Sequence, residues 1–183
     1  MARTIIRSYE NHDRAASVVR ELEAAGLPAK DISLVTRSMA AIEEGAHEGA
    51  EAGTVIGSGA GLLGALMSLP LPGVGSVLAA GWLIGGTAVG AVAGAAAGSL
   101  MGALTGAGVD ERDAHVFAET IKRGGAVVAV RVPDHQVATA PAIMAGGQPV
   151  DPAVMRSRYE AEGWTGFDEK ADARRDDLSG VVS

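Results

Sequence analysis

The chain has 183 residues, a net charge of −7 at neutral pH, 26 glycines, no cysteine, and only two each of Phe, Trp and Tyr. A length of this order suits one domain, or one domain with an insertion, and with aromatics so scarce Ala, Val, Leu and Gly must fill the core. Without Cys there is no disulfide or thiolate chemistry, and an acidic balance with no basic cluster argues against nucleic acid and anionic lipid surfaces as partners.

The first ten residues have no apolar signal core, so the cytoplasm is the expected compartment. Residues 4–9 (Thr-Ile-Ile-Arg-Ser-Tyr) read as a short strand. Asn11 can cap a helix over 12–25, in which Ala15, Val18, Val19 and Leu22 recur at helical spacing. Gly26 and Pro28 end it. Residues 31–37 are a second strand, and 39–51 read as an acidic helix carrying Glu43, Glu44, His47, Glu48 and Glu51.

Residues 52–109 contain no charged side chain. Within them glycines fall on a four-residue step, first at Gly53, Gly57 and Gly61 and then at Gly86, Gly90, Gly94, Gly98, Gly102 and Gly106. Each glycine inside a helix costs about 1 kcal/mol relative to Ala, and small residues four apart let helix backbones approach closely. These nine glycines are the candidate helix-packing and oligomerisation residues. The expected form is a helical hairpin with arms 53–69 and 73–107, turned at Pro70-Leu71-Pro72-Gly73. Beyond it, Asp110-Glu111-Arg112-Asp113 opens a helix to about Arg123, and Gly124-Gly125 stops it. Residues 126–132 (Ala-Val-Val-Ala-Val-Arg-Val) are the clearest strand. A weaker helix at 136–145 and a short edge strand at 148–151 follow, then a polar, loose tail over 152–183.

With the insertion set aside, the order is strand, helix, strand, strand, helix, strand. This predicts an α+β fold, a ferredoxin-like βαββαβ sandwich with a long Gly/Ala-rich helical hairpin inserted between strands 2 and 3. Residues 1–38 and 125–151 form its two halves, and 39–124 form the insertion, which projects from the sandwich.

The first strand and helix, the Leu-Pro-Leu-Pro-Gly-Val-Gly turn at 69–75, the glycine ladder, the Arg-Gly-Gly-Ala-Val-Val-Ala-Val run at 123–130 and the 158–168 segment resemble bacterial general-stress or low-temperature-induced proteins with a glycine-zipper insertion. The resemblance implies a stress-linked, non-enzymatic role with an oligomeric or membrane-associated insertion. It brings no active site with it.

Two functions are expected from the uncharged stretch. The first is self-assembly into a homo-oligomer of more than two copies. A four-residue stripe advances about 40° per step, so from Gly86 to Gly106 it winds roughly 200° and a single straight partner loses contact. The second is a membrane-associated protein whose hairpin enters the bilayer of the inner membrane, with lipid as partner. The second arm, about 35 residues and roughly 50 Å at helical rise, is too long for a hydrocarbon core of about 30 Å. It is also lean in large apolar residues and flanked by acid where Lys or Arg is usual.

No catalytic, cofactor or metal constellation is expected. His12, His47, His115 and His135 are scattered, and the Glu/His group at 43–51 reads as a solvated helix. Gly57-Ser58-Gly59 and Gly73-Val74-Gly75 follow no strand of a nucleotide-binding unit. Ser58, Ser68, Ser76 and Ser99 have no His-Asp arrangement and read as packing residues. Trp82 reads as a packing residue or an interfacial anchor, and Trp164 and Phe167 as aromatics that dock on the sandwich or on another copy.

Overall fold

The computed structural model describes residues 3–37, 67–71, 74–83, 100–133 and 138–168. Their order is β1 (Arg3–Tyr9), α1 (His12–Ala24), a short 3₁₀ turn (Ala29–Asp31), β2 (Ile32–Thr36), β3 (Met67–Leu71), β4 (Gly75–Gly81), α2 (Leu100–Gly106), α3 (Glu111–Lys122), β5 (Ala126–Val132), α4 (Thr139–Gly146) and α5 (Pro152–Ala161). The strands form one five-stranded sheet in the order β1-β5-β2-β4-β3. Every pairing in it is antiparallel.

Alternation along the strands sorts their side chains into two cores. Ile5, Tyr9, Ile32, Leu34, Val128, Val130 and Val132 face α1 and α4, meeting Val18, Val19, Leu22, Ala140 and Met144. Ile6, Val35, Val127 and Ala129 face the other way, against Leu100 and Leu104 of α2 and Ala114, Phe117, Ala118 and Ile121 of α3. The result is a three-layer molecule in which the interior strand β5, between β1 and β2, is covered on both sides, which is why it reads as one apolar run. Each fully buried Leu or Val contributes about 1.5–3 kcal/mol through its burial.

Local signals hold the elements where the patterning puts them. The Asn11 side chain accepts from the Arg14 N–H at 3.0 Å and starts α1, and Gly26, at φ +86°, ends it. Asp110 accepts from the Arg112 N–H at 3.0 Å to start α3, whose first turn carries Glu111 and Asp113 and whose last carries Lys122, as the helix dipole favours. Gly124, at φ +95°, turns the chain into β5. Tyr9, fully buried, donates to the Met144 carbonyl at 3.0 Å and ties β1 to α4.

The structure departs from the sequence expectation in four places. Residues 67–71, expected as the end of one helical arm and the start of the proline turn, and residues 75–81, expected in the second arm, are strands of a β-hairpin. Its register, Leu69 opposite Val77 and Pro70 opposite Ser76, brings the proline segment to the end of the sheet. Pro70 has no N–H to give, and an edge strand is where that loss is tolerated. Gly81 closes β4 at φ +95°, where a Cβ would collide with the Ile32 carbonyl oxygen and lie 2.7 Å from Ser33 Cα.

Second, the last part of the insertion does not project: α2 and α3 cover the second face of the sheet. Third, the 152–168 stretch of the expected loose tail holds α5 and a turn docked on α3, with Tyr159 and Phe167 buried. Asp151 caps α5 by accepting from the Ala153 N–H at 2.7 Å, and Pro152 fills its first turn. Fourth, the edge strand expected at 148–151 is a single bridge, in which the Val150 N–H donates to the Ser8 carbonyl at 2.8 Å. The acidic helix expected at 39–51 lies outside the described residues, and the weaker helix expected from 136 is seen from Thr139 onward.

Candidate functional site

Of the nine ladder glycines, Gly53, Gly57, Gly61, Gly86, Gly90, Gly94 and Gly98 lie outside the described residues, and Gly102 and Gly106 lie in α2. Leu100 and Leu104 of that helix are buried against the sheet and α3. At about 100° per residue, Gly102 sits roughly 200° round from Leu100, and Gly106 the same from Leu104. The two glycines therefore share the side of α2 turned away from the core. Burial agrees: Gly102 is half-buried, and Thr105 and Gly106 are exposed. Thr105 lies between them and turns its hydroxyl back to the Met101 carbonyl at 2.9 Å, which keeps that face low. Beyond it the Val109 N–H returns to the Leu104 carbonyl, and Gly108, at φ +89°, ends the helix before Asp110 starts the next.

Trp82 is 6% exposed and belongs to the core with α2 and α3. Its indole donates to the Asp31 carbonyl at 3.2 Å. The Arg131 guanidinium lies over its ring, 4.7 Å from the centroid, and also reaches the Lys30 carbonyl at 3.0 Å and the Asp31 carboxylate at 3.4 Å. Lys30, Asp31, Arg131 and Pro133 line an open depression of about 350 Å³ above this group. Of the two readings of Trp82, its surroundings are those of a packing residue.

The histidines do not converge. His12 begins α1, His115 lies on α3 with its Nδ1 accepting from the Phe167 N–H at 3.1 Å, and His47 and His135 are outside the described residues. Among the described residues no three His, Cys, Asp or Glu side chains are grouped as metal ligands. Ser68 and Ser76 fall in β3 and β4, and Ser58 and Ser99 lie outside the described residues. No helix among the described residues is long and apolar enough to cross a membrane.

The densest polar arrangement among the described residues is one not foreseen above, the seam between α3 and α5. Arg123 at the end of α3 donates to Glu119 at 2.7 Å and to Glu162, and its guanidinium lies 4.2 Å from the Tyr159 ring centroid. The Arg123 hydrogen bond holds the Glu162 carboxyl below the usual carboxylate range. Tyr159 shares a hydrogen bond of 3.2 Å with Thr120 and meets Trp164 edge-on at 5.7 Å, and burial pushes its phenol up. Arg156 pairs with Asp113 at 3.0 Å on the same seam. The Trp164 indole nitrogen is buried without a hydrogen-bond partner; the charged groups and the two hydroxyls pair with one another, so the arrangement fastens α5 in place. The signal that could have found it is Asp151-Pro152, a helix start, with Tyr159, Trp164 and Phe167 close behind it in an aromatic-poor chain.

Comparison with family models, with curated proteins and with solved structures finds no match for this chain.

Proposed function

We propose that the chain is a non-enzymatic structural protein, stress-linked as its resemblance to the general-stress group suggests, that associates with copies of itself through the glycine ladder. The observation that carries the reading is the placement of Gly102 and Gly106. They lie opposite the Leu100 and Leu104 stripe that docks α2, with Thr105, its hydroxyl turned back to the helix, as the side chain between them. Since Leu, Ala or Met in their place would favour the helix more, close approach of another helix is the physical reason to keep glycine there.

The scaffold under the ladder is read as the ferredoxin-like βαββαβ unit of β1, α1, β2, β5, α4 and the Val150 bridge. The spatial order Val150, β1, β5, β2 and the sharing of one sheet face by α1 and α4 support that reading. The β3–β4 hairpin extends this sheet past β2, and α2 and α3 cover its second face.

The test is the size of the untagged protein in detergent-free buffer, for the wild type and for Gly94→Leu and Gly98→Leu. Large wild-type particles that shrink in both variants support assembly through the ladder. Particles of unchanged size refute the ladder as the interface. Retention in alkali-washed membranes, with release only by detergent, refutes the soluble assembly in favour of a bilayer partner.

A further inference from the structure

The C-terminal turn is attached to α3 by a bond whose chemistry depends on protonation. After α5 the chain reverses at Gly163, φ +88°, and passes Gly166, φ +156°, against His115. Phe167 then enters the core shared by Phe117, Ala118 and Ile121, where it is 6% exposed. Its backbone N–H donates to His115 Nδ1 at 3.1 Å. A ring nitrogen accepts a hydrogen bond only while it carries no proton, so this contact requires the neutral imidazole with its proton on Nε2. His115 is itself half-buried, within reach of solvent.

We propose that His115 is a pH-sensitive latch for the 163–167 segment: with a neutral imidazole it holds the Phe167 amide, and on protonation it gives up that bond and loosens the segment. Protonation puts an N–H where the acceptor was, facing the Phe167 amide N–H. Histidine is the side chain that makes this change between pH 5 and 8.

The charged groups about the latch are known by element. On α3 itself, Glu111 and Arg112 lie one turn before His115 and Glu119 one turn after, the last engaged with Arg123. Lys122, two turns on, sits 6.0 Å from the Phe167 ring centroid. The docked segment carries Asp168 next to Phe167, and α5 carries Arg156, paired with Asp113. Helix α2, on the other side, has no charged residue.

The experiment is hydrogen exchange on the full-length protein at pH 7.5 and 5.5, corrected for the intrinsic pH dependence of exchange. Wild type is compared with His115→Asn, whose Oδ1 occupies the place of Nδ1 and accepts without titrating. The expected result is at least a ten-fold loss of protection at the Phe167 amide in wild type at pH 5.5, with α1 amides unchanged and no loss in His115→Asn. Equal protection at both pH values in wild type overturns the proposal. So does an equal loss in His115→Asn, which moves the titrating group to a carboxylate. Nitrogen NMR of His115 gives an independent check: an Nε2-protonated ring at pH 7.5 is expected, and an Nδ1-protonated one overturns the latch.

Discussion

Replacing Gly81 by Ala separates the β-hairpin from the helix that the glycine spacing suggests, because the two predict opposite signs. In a helix interior the change stabilises by about 1 kcal/mol. In the sheet, Gly81 lies opposite Ser33 at φ +95°, and the new methyl meets the Ile32 carbonyl and Ser33 Cα. The left-handed backbone alone costs roughly 1–2 kcal/mol for a residue with a Cβ. Overpacking against backbone that cannot turn aside adds about 1–3 kcal/mol, for a loss of roughly 2–5 kcal/mol in all. Gly124→Ala is the matched control, with the same φ of +95° and no atom within 4 Å of its Cβ, so it bears only the strain. Urea unfolding reads the difference. With a slope of about 2 kcal/mol/M, the Gly81→Ala midpoint should fall about 0.5–1.5 M below that of Gly124→Ala. Equal midpoints refute the close approach of β4 to β2, and a gain in stability refutes the strand itself.

Three other outcomes follow from the packing and the seam. Leu104→Ala should cost about 2–5 kcal/mol, while Thr105→Ala, on the outward side of α2, should stay within about 0.5 kcal/mol; denaturant melts of the two check which side of α2 is buried. Burial pushes up both tyrosines, Tyr9 and Tyr159. Their contribution is therefore complete below the unfolded value of about 10 and is lost as pH rises above it toward the raised native values. At pH 10 the native protein should show far less tyrosinate absorbance than the unfolded chain, which is about half ionised there. The Glu162 carboxyl is held low by Arg123, so its contribution is present above about pH 4.3 and lost as pH falls below it. The stability difference between wild type and Glu162→Gln should shrink steadily as pH falls below that value, and a difference that does not change with pH would show that the charge is not its source.

Most of the scaffold was legible because its signals are local. Asn11, Gly26, Asp110 and Gly124 mark helix ends by side-chain and backbone geometry that neighbours alone determine, and β1, β2 and β5 are dense in β-branched residues. The β3–β4 hairpin was hidden for a physical reason. Ser76 through Ala80 is small or apolar at every position, as a strand between two layers can be, so no alternation opposes the four-residue glycine step. The step then suggests a helix through residues that pair with β2. Of the nine ladder glycines, only Gly102 and Gly106 lie among the described residues, and what the spacing left open was which side of the helix they take. That depends on Leu100 and Leu104 finding the sheet, which is a tertiary fact. The seam was missed because Arg123, Glu119 and Glu162 acquire meaning only when a polar segment folds back 39 residues later to meet α3.

The placing of β5 governs how the chain can be assembled. β1 and β2 are not neighbours in the sheet; each lies against β5, Arg3 opposite Val132 and Ile32 opposite Val130, and β2 pairs on its other side with β4. Yet β5 is the last strand of the sheet to leave the ribosome. Until residue 132 has emerged, the N-terminal strand has no partner among the strands already made, and β2 can pair only with β4. Productive closure therefore waits on an apolar strand entering a slot between two others, a pairing that joins Arg3 to Val132 across most of the sequence and slows folding accordingly. During that wait the facing edges of β1 and β2 stay open to strands of other chains. A protein with so few charges in its middle is most exposed to aggregation while it is being made, and a block to synthesis just before residue 126 should leave the most aggregation-prone fragment.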